Sequence, residues 1–166
     1  MKPTIYWLPV ILLLGAIFYF SGQAASEQDI TPYIKQFHQI IHLLQRLPDI
    51  HFYYYNHRLI SSHQDTVGFI QFIIRKMTHL CLYGVFGLTL LQALQASRSA
   101  RKNSPRWPVS VTTGLLIIII ASLDEYQQSL TASRTGCIQD VVVDFCGFLL
   151  FYALYRLWQK LRPQVY

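Results

Sequence analysis

The sequence predicts an all-α membrane protein: a bundle of four transmembrane helices with an amphipathic segment in a long outer link. Three observations predict it. Hydrophobic residues make up 52% of the 166 residues and charged residues only 13%, about half the charged share of an ordinary soluble domain. Four apolar runs approach the length of a membrane span. The basic residues gather where those runs would meet one side of a membrane. So few charges exclude a soluble enzyme, and so much apolar content excludes a disordered chain. The length fits a single domain, 1–166.

The elements follow in order. A first helix is expected near residues 5–22, with Lys2 before it and Pro9 inside it. The second, near 68–94, is apolar but carries Arg75, Lys76 and His79. The third, near 109–128, contains four consecutive isoleucines from Ile117 to Ile120. The fourth, near 140–160, follows Asp140 and Asp144 with an apolar and aromatic run. A span needs about 20 residues, so the shorter runs should extend into flanking polar sequence. The start of the chain also has the pattern of a signal peptide, with Gly22 and Ala24 at the spacing of a cleavage site. An uncleaved anchor is the favoured reading, because removing it would leave three spans and termini on opposite sides.

Lys2, Arg98, Arg101, Lys102, Arg106, Arg156, Lys160 and Arg162 all fall on one side of a four-span bundle. These eight of the fourteen basic residues place both termini in the cytoplasm. They also account for the net charge of +6 without nucleic acid as a partner. The expected location is a plasma membrane, with the lipid bilayer as the first partner.

The link, residues 23–67, lies outside in this reading. Ile34, Phe37, Ile41 and Leu44 recur at helical spacing and predict an amphipathic helix ended by Pro48. Tyr53, Tyr54 and Tyr55 suit a membrane interface. His38, His42, His51, His57 and His63 are scattered through the link. His38 and His42 are spaced to share a metal, but no cysteine or carboxylate accompanies them, so an interfacial role is favoured. Cys81, Cys137 and Cys146 show no CxxC spacing, which supports neither a zinc site nor a disulfide framework.

The polar residues of the spans are the informative ones. Arg75 and His79 are four apart, and Tyr83 continues their stripe. Asp124, Glu125 and Gln128 end the third helix, Arg134 lies in the next link, and Asp140 and Asp144 open the fourth helix. A charge at the bilayer centre costs about 2.5–3.5 kcal/mol on the insertion scale, so such groups are functional by default. Arg75, Lys76 and Arg134 oppose four carboxylates, a near-neutral set. Arg75, Lys76, Arg134, Gln128 and Tyr83 are candidates for binding an anion or substrate. Glu125, His79 and Asp140 are candidates for catalytic proton transfer. Asp140 and Asp144, with Glu125, could hold a divalent cation as cofactor. A structural ion-pair network fits the same residues.

Together these stretches resemble the VanZ-like family of small bacterial membrane proteins. Phe20-Ser21-Gly22-Gln23 is similar to the family's ending of the first span. Arg75-Lys76-Met77-Thr78-His79-Leu80-Cys81-Leu82-Tyr83, followed by Gly87, is similar to its second-helix stretch. Asp124-Glu125-Tyr126-Gln127-Gln128, then Arg134, is similar to the third. Asp140, Asp144 and Gly147 are similar to the fourth, although Asp144 stands where the family often has Asn. Residues 26–65 match little. The resemblance implies a multi-pass protein of the bacterial plasma membrane. It points to the cell envelope, because the family's namesake is associated with low-level resistance to the glycopeptide teicoplanin.

Three function classes fit. The first is an envelope protein whose outward pocket binds or modifies a lipid-linked or anionic envelope precursor. The second is a non-enzymatic module in which the polar cluster locks the helices or a partner. The third is a small transporter, which the lack of an inverted repeat disfavours. Whether the chain is an enzyme stays open at this stage.

Overall fold

A computed structural model describes residues 3–55, 58–100, 107–131 and 136–162. A 3₁₀ turn, Pro3–Tyr6, leads into α1, Trp7–Ser21. The link holds α2, Thr31–Ile34, α3, His38–Arg46, and the strands β1, His51–Tyr54, and β2, Arg58–Ser61. Three long helices follow: α4, Thr66–Ser99, α5, Val109–Leu130, and α6, Ile138–Leu161. Among the described residues, four helices are long and apolar enough to cross a membrane. Pro9 sits in the first turn of α1, where a missing N–H costs nothing.

The four helices alternate in direction. Trp7 Nε1 donates to Ser97 Oγ at 3.0 Å, joining the start of α1 to the end of α4. Ser21 Oγ donates to the Asp124 carbonyl at 3.2 Å, and Gln127 Nε2 donates to the Phe18 carbonyl at 3.0 Å. These join the end of α1 to the end of α5. The link therefore lies at one end of the bundle, called here the link end. Helix α4 packs on α1, α5 and α6. Tyr83, Phe86, Leu90 and Ala93 of α4 meet Ile117 and Ala121 of α5, Phe148 of α6, and Val10 and Ile17 of α1. Leu8, Ile11, Leu12, Leu115, Ile119, Leu150 and Leu154 point outward, as a hydrocarbon solvent requires.

At 34 residues, α4 is about 51 Å long, more than a bilayer core needs. Its extra turns form the post on which the link folds, with α2, α3 and β2 against it. The single amphipathic helix expected over residues 34–44 is two pieces. Phe37 breaks it with a non-helical φ of −91° and ψ of 59°. The amphipathic character survives in α3, where Ile40 and Leu43 stay exposed beside Phe37 and Leu47.

The tyrosine run, expected to suit a membrane interface, forms half of an antiparallel hairpin. His51 pairs with Ser61 and Tyr54 with Arg58. Alternation turns Phe52 and Tyr54 inward, onto Phe72 of α4 at 5.7 and 4.9 Å between ring centres. His38 and His42 are exposed on α3, and His57 lies outside the described residues. Asp49 ties the hairpin base. It accepts from the Ser61 and Ser62 hydroxyls at 3.0 and 3.1 Å and from the His63 amide at 3.2 Å, and pairs with His51 at 3.2 Å.

Desolvation pulls the Asp49 pKa up, but those hydrogen bonds outweigh it and hold the carboxyl below its usual range. A depressed folded pKa means stability that is present above the unfolded value, about 3.9, and lost as pH falls through the folded one. Hydrogen-exchange protection of the hairpin, corrected for intrinsic rate, should therefore hold from neutral pH down to that value and fall below it. In Asp49→Asn this acid-dependent step should vanish; an unchanged profile would remove Asp49 as its cause.

Candidate functional site

The site is built by three helical stripes and one strand end. On α4, Phe72, Lys76, His79 and Tyr83 recur at spacings of four, three and four. Asp124, Glu125 and Gln128 face them from α5, and Asp140 and Asp144 from α6. Close approach makes this possible. A Cβ at Gly147 would collide with the Leu80 carbonyl, so α6 lies backbone to backbone on α4 one residue from His79. Gly84 and Gly87 likewise leave room for the rings of Phe151 and Phe148.

The polar groups form two layers. In the upper layer Asp140 Oδ1 accepts from both the Lys76 ammonium and the Tyr54 hydroxyl. The same ammonium lies 4.9 Å from the Tyr54 ring centre and 5.3 Å from that of Phe72, a cation–π cradle that holds its position. Burial, then the hydrogen bond to Asp140, pushes the Tyr54 pKa upward, so the phenol stays a donor. Burial beside Asp140 pushes the Cys137 thiol up to about 11. That thiol is a neutral neighbour, not a ready nucleophile.

The lower layer is more deeply buried. Asp144 is 0% exposed, Asp124 2% and Glu125 5%. His79 Nδ1 lies 3.2 Å from Asp144 Oδ1. Tyr83 donates to Asp124 Oδ2 at 3.1 Å. Gln128 Nε2 reaches Asp124 Oδ2 at 3.3 Å and Glu125 Oε1 at 3.4 Å. The Cys137 amide donates to Glu125 Oε2 at 2.9 Å, so the start of α6 fixes that carboxylate.

Above both layers a cavity of about 720 Å³ opens between α4 and the link. Lys76, Asp140, Gln128 and Cys137 form its floor, and Arg75, Lys35 and Arg58 are among its walls. Its acidic neighbours are engaged elsewhere. Asp29 accepts from the Thr31 amide and from Gln71, and Asp65 caps α4 through the Gly68 amide. Among the described residues, neither Arg58 nor Arg75 has an ion-pair partner.

The structure thus brings together Lys76, His79, Tyr83, Glu125, Gln128, Asp140 and Asp144, all expected from the sequence. Arg75 stands apart from His79, on the cavity wall, and Lys76 takes the inward place. Arg134 lies outside the described residues. The cation group expected from Asp140, Asp144 and Glu125 is divided. Asp140 sits with Glu125 and Cys137, whereas Asp144 sits with His79, Asp124 and Glu125. Tyr54 was missed as a site residue. The period-two alternation of Phe52 and Tyr54 against His51 and Tyr53 is the signal that could have found it. Asp124 was counted in the cluster but given no role, and the sequence carried no sign of its burial under Tyr83.

The profile of the VanZ/LLP1 family matches residues 6–159. The chain belongs to that family. The match runs through all four long helices and both layers of the site, and it agrees with a multi-pass membrane protein. No curated protein and no solved structure matches the chain.

Proposed function

We propose that this VanZ-family protein binds an anionic, lipid-linked envelope precursor in the cavity at the link end. In this reading both termini are cytoplasmic, the cavity faces outward from the bacterial plasma membrane, and the activity bears on glycopeptide resistance of the teicoplanin type. The observation that carries it is the charge state of the cavity. Lys35, Arg58 and Arg75 line it, Lys76 is paired with Asp140, and Asp29 and Asp65 are held by backbone and side-chain N–H donors. Its size, about 720 Å³, is that of a ligand pocket rather than a packing defect. Guanidinium groups suit a phosphate through paired N–H donors. Arg75, Lys76 and Gln128, which line the cavity, would bind or position the anion, with Arg134 proposed beside them; Tyr83, expected in this set, is buried beneath the floor on Asp124. Glu125 and His79 would transfer protons if the precursor is modified; the 3.2 Å contact of the imidazole with Asp144 supports that role. Asp140 would hold Lys76 in place.

The test is lipid co-purification read by native mass spectrometry. The wild type should retain an anionic lipid, and Arg75→Ala should lose at least about tenfold of its occupancy, the size of a lost charged hydrogen-bond pair. Equal lipid content in both proteins would refute the reading. The closed Lys76–Asp140–Tyr54 contact favours a second reading, a purely structural network. That reading expects Arg75→Ala to change neither lipid content nor stability.

A further inference from the structure

We propose that His79, Asp124, Glu125 and Asp144 form a binding site for one divalent transition cation, of the manganese or zinc class, beneath the cavity floor. This inference rests on the lower layer alone and does not depend on what the cavity holds. Each of the four residues offers a ligand atom within 4.8 Å of the others. Ligands about 2.0–2.2 Å from a shared ion lie about 3–4 Å apart, so small rotamer changes close the group.

A second observation points to a cation. Among the described residues, Asp124 Oδ1 and Asp144 Oδ2 are buried without a hydrogen-bond partner, on side chains that are 2% and 0% exposed. Buried carboxylate oxygens are normally satisfied. A cation bound between the two side chains would satisfy both oxygens at once.

The charges agree. Among the described residues none of the three carboxylates has a lysine or arginine ion-pair partner. Lys76, the nearest ammonium of the upper layer, is engaged by Asp140. A dication cuts the formal charge of the three carboxylates from −3 to −1, which lowers the cost of burying them together. The donor set selects the metal class. Three carboxylates and one imidazole, with no thiolate, suit manganese or zinc over soft ions, and the imidazole disfavours calcium and magnesium.

The outer contacts are those of a metal site. Tyr83 and Gln128 hold Asp124, and Gln128 and the Cys137 amide hold Glu125.

The test uses the full-length protein in detergent, stripped with EDTA and titrated separately with Mn²⁺ and Zn²⁺. The free-Mn²⁺ paramagnetic resonance signal and elemental analysis report the bound metal, and circular dichroism reports the fold. One equivalent of at least one metal should bind per chain. Asp124→Asn and Asp144→Asn should each weaken it tenfold or more. His38→Asn/His42→Asn, on the exposed link helix, should leave it intact, which keeps the test decisive if the aspartate variants do not fold. A folded wild type that binds neither metal stoichiometrically overturns the proposal. So does binding that survives both aspartate changes, or that disappears with His38 and His42. Arg75→Ala, which probes the cavity, should keep the metal even where it loses lipid.

Discussion

Lys76→Met should destabilise the folded protein by about 3–5 kcal/mol, the size expected when a buried ion pair loses one partner. Asp140 is 8% exposed, and one of its oxygens takes both the ammonium and the Tyr54 hydroxyl. Methionine keeps the aliphatic stem and its contact with the Phe72 and Tyr54 rings. The loss is therefore electrostatic, a carboxylate left with neutral donors and no cation. Asp140→Asn in the same chain should recover most of it, because the uncompensated charge is gone. A thermal double-mutant cycle in mild detergent measures this coupling. Additive single and double effects would show that the pair is not the unit of stability. Tyr54 joins the hairpin to this pair, so Lys76→Met should also loosen the link before the bundle melts.

Gly147→Ala should cost about 1–3 kcal/mol, as overpacking does, and should weaken the site along with the fold. The added Cβ would meet the Leu80 carbonyl oxygen, with the Leu80 carbonyl carbon at 2.9 Å and Cα at 3.0 Å. Backbone cannot rotate aside like a side chain, so α6 must move off α4. His79 adjoins Leu80, and Asp144 lies three residues before Gly147. The 3.2 Å His79–Asp144 contact is therefore lost in the same movement. Gly15→Ala is the internal control. Nothing lies within 4 Å of a Cβ there, and an alanine favours helix by roughly 0.5–1 kcal/mol. Midpoints of thermal unfolding should fall for Gly147→Ala and hold or rise for Gly15→Ala. If the two variants melt alike, backbone contact between α4 and α6 is not what Gly147 serves.

Legibility differed between the spans and the link. The expected helices near 68–94, 109–128 and 140–160 appear as Thr66–Ser99, Val109–Leu130 and Ile138–Leu161. Hydropathy finds a span because the bilayer imposes length and apolarity on each helix separately. It misses the extra turns of α4, which stand on the link rather than in hydrocarbon. The hairpin was not foreseen, because His51 to Tyr55 reads as an aromatic belt until Phe72 is there to receive Phe52 and Tyr54.

The site divides in the same way. Composition and spacing alone selected Lys76, His79, Glu125, Asp140 and Asp144, because ionisable residues are costly in a span and stand out there. Spacing also placed Arg75 with His79, since residues four apart share a helix face. Only packing decided that Lys76 points to Asp140 while Arg75 lines the cavity. Only packing set Asp124 beside Asp144 and left an oxygen of each without a partner among the described residues. Helical period and hydropathy are properties of one segment and are written along the chain. The rotation of each helix about its axis is not. It is set where Gly147 lets α6 touch α4, and with it which polar groups meet.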